Sequence, residues 1–276
     1  MLRTRFFAFA AFLFVPLMGV AQTPRDFVRQ AVQTELAASR DDHSHWLYFE
    51  IDRQPSKAVK QWVAESKAGS VNRVVERNGQ SIPESQQRQE MSAYIQDARE
   101  QARRRKSGQH DDEQAAELLR ILPDAFVWTD SGQKGNDIHL HFRPDPKFRP
   151  PNFEARVFAG MEGDMAIDRE QHRIVSLKGR LVHDVKIGFG LLGELKEGGT
   201  FDVERRELSP HVWEITETHV HIQGHALIFK TISEEEDDVK THFQQLASTT
   251  TLQQAQDQLL HLNPNPARDQ AFHSGK

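Results

Sequence analysis

Residues 175–187 read VSLKGRLVHDVKI, and this stretch is the strongest indication of how the chain folds. Mostly apolar residues occupy every second position, and mainly polar or charged residues stand between them. Alternation with a period of two is typical of a β-strand that buries one face in a core. Thirteen residues at about 3.3 Å each predict a strand of roughly 40 Å, a length expected in a barrel or a strongly curved sheet.

Other stretches on both sides of this segment also favour strands. They lie at residues 45–53, 59–67, 71–77, 138–142, 161–167, 201–203 and 211–233, the last as a hairpin that turns at Gln223-Gly224. Asn78-Gly79 marks a further turn. Thr23-Pro24 predicts a helix that ends near Arg40, because proline suits the first helical position. The pattern predicts an α+β fold, a half-barrel of about eight or nine antiparallel strands.

A helical insertion at about residues 84–121 interrupts the strands. It is rich in Gln, Glu, Arg and Ala, and Ser107-Gly108 is expected to break the helix. Its basic run at 103–106 is interpreted as a solvated helix face balanced by the acidic residues 111–113, with a nucleic-acid or lipid-headgroup patch as the alternative. The insertion and the N-terminal helix are expected to pack on the sheet.

The ends of the chain are predicted to lie outside a single domain at 22–247. Residues 1–21 have a signal peptide's basic start, apolar run and small residues before a cleavage site. Residues 248–276 should hold one weak helix, at 252–260, and a disordered tail. The chain has no cysteine, so neither a lipid anchor nor a disulfide is expected. We therefore expect a soluble periplasmic or extracellular protein, in transient contact with envelope membranes at most.

Composition and motifs argue against two function classes. The chain has 35 Lys and Arg against 40 Asp and Glu, which disfavours general nucleic-acid binding. GxSxG and Walker A motifs are absent. The acidic run at 234–238 is interpreted as a solvated face. No catalytic residue and no cofactor are predicted, although carboxylates paired across strands would escape this search.

The fourteen histidines carry the main alternative. His139/His141 and His219/His221 each place two imidazoles on one side of a strand, as some metal sites require. In a hairpin turning at Gln223-Gly224, His225 would face the other side and could not add a third ligand. We therefore predict ordinary strand histidines and no metal site, and keep a metal-dependent hydrolase as an alternative. His183 is expected to be a hydrogen-bonded core histidine.

Four segments resemble a group of uncharacterised secreted proteins of bacteria such as acidobacteria. They are DDHSHWLYFEI at 41–51, FRPDPKFRPPNFEARVFAGMEGDMAID at 142–168, GFGLLGELKEGGTF at 188–201 and FKTIS at 229–233. More loosely, GDMAIDREQHRIVSLKGRLV is similar to a hairpin of the periplasmic lipoprotein-carrier superfamily. That resemblance implies an unclosed antiparallel sheet whose concave apolar side is covered by helices and accepts acyl chains.

The leading hypothesis is a binding protein with a hydrophobic groove between sheet and helices. The glycine-rich, apolar segment at 187–199 is interpreted as a flap at its mouth, or as a loop that packs into the core. The predicted ligand-binding residues are Leu177, Leu181, His183, Val185, Phe189 and Leu192. The expected partner is a lipid, an acylated protein or an apolar protein segment. A structural or interaction protein of the envelope is the third candidate.

Overall fold

The structure is a computed structural model that describes residues 22–187, 193–226 and 234–266. These parts contain five helices, which are α1 (Pro24–Asp41), α2 (Glu84–Gln96), α3 (Ala98–Ala125), α4 (Phe153–Ala159) and α5 (Leu252–Leu260). The predicted signal peptide and residues 267–276 of the predicted tail lie outside the described residues.

Antiparallel strands make up the rest of the fold. They are β1 (His45–Gln54), β2 (Lys57–Ser66), β3 (Gly69–Arg77), β4 (Gln80–Ser81), β5 (Phe126–Lys134), β6 (Asp137–Pro144), β7 (Met161–Asp168), β8 (Ile174–Leu181), β9 (Val185–Ile187), β10 (Gly193–Leu195), β11 (Thr200–Ser209), β12 (Val212–Ile222), β13 (Gly224–Ala226) and β14 (Glu234–Leu246). Eleven of them form one open sheet in the order β4-β3-β2-β1-β14-β12-β11-β8-β7-β6-β5. The remaining three form a small sheet in the order β13-β10-β9. The α+β class, the N-terminal helix and the helical insertion are confirmed, with more strands than the eight or nine predicted.

The first helix begins and ends close to its predicted bounds. Thr23 accepts a hydrogen bond from the backbone N–H of Asp26, and the Asp26 carboxylate accepts one in return from the backbone N–H of Thr23. This capping box and Pro24 at the start fix the helix N-terminus. The turn predicted at Asn78-Gly79 is also present, between β3 and β4. Both residues have a positive φ, 51° for Asn78 and 77° for Gly79.

The 13-residue strand predicted at residues 175–187 is divided in the structure. β8 ends at Leu181, and after residues 182–184 the chain enters the small sheet as β9. Asp184 accepts a hydrogen bond from the backbone N–H of Glu197 at 2.7 Å, which holds the chain in this bend. His183 lies in the bend and is exposed, so the prediction of a core histidine is wrong.

The longest strand is instead β14, with 13 residues. It begins in the acidic run at 234–238 that was interpreted as a solvated face. It pairs with β1 on one side and β12 on the other. Its backbone N–H and C=O groups are therefore hydrogen-bonded, although acidic residues are uncommon in strands. The hairpin predicted at Gln223-Gly224 is also wrong, because β12 pairs with β14 and β13 pairs with β10.

The helical insertion breaks at Asp97 and not at Ser107-Gly108. The Asp97 carboxylate accepts hydrogen bonds from the backbone N–H groups of Arg99 and Glu100, which makes it the N-cap of α3. The helix then runs through Ser107 and Gly108. The basic run is balanced by Glu100, which binds Arg103 and Arg104, and these hydrogen bonds lower the pKa of Glu100 to about 2.

Two hydrophobic cores lie on opposite faces of the large sheet. Residues that pair directly across neighbouring strands lie on the same face of the sheet. These pairs lead from Ile51 in β1 through Val239 and Glu217 to His139 in β6, so Ile51 and His139 share a face. Leu140 follows His139 and therefore points to the opposite face, where it belongs to the first core. Ile51, on the face of His139, packs on the second core. Helices α1 and α3 contribute to the first core, over β5–β8, and α2 and α5 contribute to the second, over β1–β3.

A buried arginine fixes α5 to the second core. Arg73 of β3 is 1% exposed and donates hydrogen bonds to the carbonyl oxygens of Leu259 and Leu262 and to the side chain of Gln87. Trp62 donates a further bond to the carbonyl oxygen of Asn263. A cation is favourable at the C-terminal end of a helix, where carbonyl groups lack partners. Residues 252–263 therefore belong to the folded body of the protein.

Candidate functional site

The predicted ligand-binding residues separate into three groups. Leu181 and Val185 are buried in the first core, at 0% and 3% exposure, and Leu177 packs against that core. His183 is exposed, and Phe189 and Leu192 lie outside the described residues. The segment in which these last two lie, 187–199, is described only at its two ends, so its proposed role as a flap stays a prediction.

The space between sheet and helices at this end of the sheet is filled by side chains of the protein. Phe126 contacts Phe142, Trp128 and Phe158 with ring centroids 4.7–5.9 Å apart, and Leu122 of α3 is fully buried beside them. A close-packed core leaves no room for a ligand.

Three of the four histidines in the two predicted pairs contact carboxylates, whereas Nε2 of His139 is buried without a hydrogen-bond partner. His141 lies 3.0 Å from Asp164, measured from Nδ1 to Oδ1, and His219 lies 2.6 Å from Asp237 in the same way. His221 approaches the same Asp237 oxygen at 3.3 Å. The hydrogen bond to Asp237 raises the pKa of His219. Within residues 22–187, 193–226 and 234–266, no three side chains are grouped so that they could hold a metal ion.

These residues belong to a row of alternating charge across one sheet face. In register, the row runs His141, Asp164, Lys178, Asp202, His219, Asp237. Lys178 lies 3.0 Å from Asp202, so neighbouring members pair with one another. Opposite charges facing each other across strands are mildly stabilising. All members of the row except Asp237 line a shallow open groove, and the row has the character of a solvated face whose side chains pair with one another.

A second group of charges was not predicted, and it lies on the other face of β1 and β14. Asp52 and Asp238 are directly paired across these strands, and Glu50 is paired with Lys240. Burial raises the pKa of both Glu50 and Asp238. The alternation of Tyr48, Glu50 and Asp52 in β1 was a signal for a polar face. The sequence alone did not show that this polar face lies next to the charged residues of β14.

Nearby, the pKa of Glu214 of β12 is raised to about 7. Burial is the main cause, and the negative charges of Glu65 and Asp42 add to it. Burial also raises the pKa of Glu65 itself. Raised carboxyl pKa values occur at functional sites, and they also occur where charges are held for structural reasons.

An apolar cleft of about 500 Å³ opens between α3 and the beginning of α4. Its apolar residues are Leu118, Ile121, Pro151 and Ala155, and its polar residues are Gln114, Glu117, Arg120, Asn152 and Glu154. Asn152 caps α4 by accepting a hydrogen bond from the backbone N–H of Ala155 at 2.8 Å, which holds this wall in place. The volume is within the usual range for small-ligand sites, roughly 300–1,000 Å³.

Comparison with known proteins gives no further guide to this cleft. No family model, no curated protein and no solved structure matches the chain. The two resemblances described above therefore stay predictions. Among the described residues, no helix is both long enough and apolar enough to cross a bilayer.

Proposed function

We propose that this chain is an exported, non-enzymatic binding protein that holds an acyl chain in the cleft between α3 and α4. The apolar cleft of about 500 Å³ carries the proposal. It replaces the groove at Leu177, Leu181 and Val185, because those residues pack into the first core. The acyl chain belongs to a free lipid or to an acylated protein, as the loose carrier resemblance implies.

The geometry of α3 supports this placement. Gln114, Leu118 and Ile121 are spaced four and three residues apart and therefore share one helix face. Leu119 and Leu122 pack on the first core. Leu118 is four residues before Leu122, so the cleft lies along the edge of the same apolar stripe that α3 turns to the core.

The energetics require few polar contacts. Burying an acyl chain contributes about 0.8 kcal/mol per methylene. About ten buried methylenes would therefore contribute roughly 8 kcal/mol before the entropic cost of association is subtracted. The rim carries Glu117, Glu154 and Arg120, so its mixed charges do not select a strongly charged head group.

Export is the second part of the proposal and rests on the sequence of residues 1–21. A protein released by signal cleavage, without a cysteine for lipid attachment, would meet lipids and acylated proteins in the cell envelope. N-terminal sequencing of the protein recovered from a periplasmic fraction tests this part by itself. A mature chain that begins at Gln22 is the expected result.

Replacing Leu118 by Glu should weaken the binding of a fluorescent fatty acid by about 10- to 100-fold. The reason is the loss of a leucine-sized apolar contact, about 1.5–3 kcal/mol, together with a charge placed in the cleft. The measurement is a fluorescence titration of wild type and L118E, with circular dichroism as the test of folding.

Ile215→Glu is the matched control, because Ile215 is a large apolar residue of β12 that is 41% exposed and does not line the cleft. It should bind the probe like wild type. The proposal is wrong if wild type does not bind the probe, or if I215E loses as much affinity as L118E.

A further inference from the structure

A second cleft, polar in character, lies at the other end of the sheet. Two adjoining hollows of about 360 Å³ and about 310 Å³ share Asn72, Tyr94 and Arg104 as lining residues. The first hollow also contains Tyr48 and Ser70. We call these five residues and the space between them the tyrosine cleft. It is bounded by β1, β2 and β3 and by α2 and the beginning of α3.

Both tyrosines of the chain line this cleft. The sequence has 17 phenylalanines and two tyrosines, so hydroxyl-bearing rings are confined to Tyr48 and Tyr94. A phenol differs from a phenylalanine ring by its hydrogen-bonding hydroxyl. Their shared position therefore points to a use for hydroxyl groups in this cleft.

The hydroxyl of Tyr94 has no hydrogen-bond partner among the described residues, although its side chain is only 8% exposed. The hydroxyl oxygen itself is not fully buried, so it is accessible from the cleft. The oxygen faces Gly69, where an added Cβ would lie 3.1 Å away, and Gly69 lines the same hollow. The guanidinium of Arg104 lies 4.6 Å from the ring centroid, which helps to hold the ring in this direction.

The charged groups around the cleft already have partners. Arg104 pairs with Glu100, Arg77 with Glu90, and Lys57 with Asp52. Arg105, which also lines the first hollow, is exposed and donates a hydrogen bond to the carbonyl oxygen of Ala68. A further carboxylate, Glu50, accepts a hydrogen bond from Gln61, whose carbonyl oxygen accepts one from Asn72. This chain of contacts fixes the floor of the cleft.

The side-chain groups of the cleft that lack a hydrogen-bond partner are neutral hydroxyls. Tyr48, Ser70 and Tyr94 form no hydrogen bond through their hydroxyl groups within the part of the chain that the structure describes. Each hydroxyl can both donate and accept. A ligand that satisfies them must offer donors and acceptors without adding an unpaired charge, since an extra buried charge would be costly.

We propose that the tyrosine cleft binds a small neutral molecule that carries several hydroxyl groups, about the size of one sugar ring. Each of the two hollows is at the lower end of the volume range for small-ligand sites, which suits a single ring. This site is separate from the acyl-chain cleft, because the two share no lining residue.

The two tyrosines also provide the test. Full-length protein labelled with ring-¹³C tyrosine gives signals from Tyr48 and Tyr94 alone, and both report on the cleft. Glucose, N-acetylglucosamine and myo-inositol are titrated separately, with acetate and inorganic phosphate as charged probes. We expect at least one polyol to shift both signals in a saturable manner, and neither anion to do so.

Tyr94→Phe removes one oxygen and should weaken binding of that polyol by about 3- to 10-fold, the effect of one hydrogen bond. The shift of the remaining Tyr48 signal measures this. Thr129→Val, which deletes a hydroxyl on the edge strand β5, is the control and should bind like wild type. Absence of a saturable shift with all three polyols, a shift by the anions alone, or unchanged affinity in Y94F would overturn the proposal.

Discussion

Replacing Glu35 by Ala should lower the free energy of unfolding by about 3–5 kcal/mol, one of the two largest effects that we expect in this protein. Glu35 is on α1 and is 6% exposed. Its carboxylate accepts two hydrogen bonds from Arg173 and one from the backbone N–H of Ile174, and it pairs with Arg205 at 2.5 Å. These contacts join α1 to β8 and β11.

The effect is large because the variant leaves charge behind. Arg173 is 5% exposed, and without Glu35 its guanidinium would be buried without a carboxylate partner. Removing one member of a buried ion pair costs more than the pair itself contributes, since the remaining charge is not solvated. Burial alone would raise the pKa of Glu35, but Arg205 and Arg173 outweigh it and the pKa is lowered.

Urea unfolding followed by circular dichroism measures this change. Asp41→Ala is the control, since Asp41 is an exposed carboxylate at the end of the same helix, and it should change stability by less than about 0.5 kcal/mol. A loss of under about 1 kcal/mol in E35A would mean that α1 is not held to the sheet by this network.

Wild-type stability should fall by at least about 3 kcal/mol between pH 4.5 and pH 8, and Glu214→Gln should remove about 3 kcal/mol of that fall. The pKa of Glu214 rises from 4.5 to about 7 on folding. Between these values the folded state binds more protons than the unfolded state, so the free energy of unfolding decreases as pH rises. Each unit of pKa corresponds to about 1.36 kcal/mol.

Other groups add to the same trend. The raised pKa values of Glu50, Glu65 and Asp238 act in the same direction as that of Glu214. Carboxyl groups with lowered pKa values, such as Glu35, stabilise the protein above their unfolded pKa and lose this effect as pH falls. Maximum stability is therefore expected near pH 5, below neutrality.

The measurement is the urea midpoint of wild type and E214Q at several pH values from 4.5 to 8. Glu113→Gln, on the exposed part of α3, is the matched control and should follow the wild-type curve. E214Q should be the more stable protein at pH 8. Parallel curves for wild type and E214Q would show that Glu214 is not the group responsible.

Local sequence signals were sufficient for part of the fold. α1 and the turn at Asn78-Gly79 are specified by residues within a few positions of each other, and both were predicted. The same holds for β1 and for the helix at Leu252–Leu260. β14 was missed because acidic residues have low strand propensity, and its pairing with β1 joins residues that are far apart in the sequence.

The candidate site could be predicted less well than the fold. Leu118 and Ile121 lie in the predicted helical insertion, but the opposite wall of the cleft belongs to α4, which follows a proline-rich stretch and for which no helix was predicted. The break after Leu181 depends on Asp184 and Glu197, which are brought together only by the small sheet. Contacts of this kind depend on tertiary structure.

The most direct test of the acyl-chain proposal is photo-crosslinking with a fatty acid that carries a diazirine near its methyl end. After illumination, the protein is digested and the labelled peptides are identified by mass spectrometry. The account predicts labels in residues 114–121 of α3 and 151–155 at the beginning of α4, with competition by unlabelled fatty acid. Labels that compete in the same way but lie in β8, or an absence of specific labelling, would contradict it.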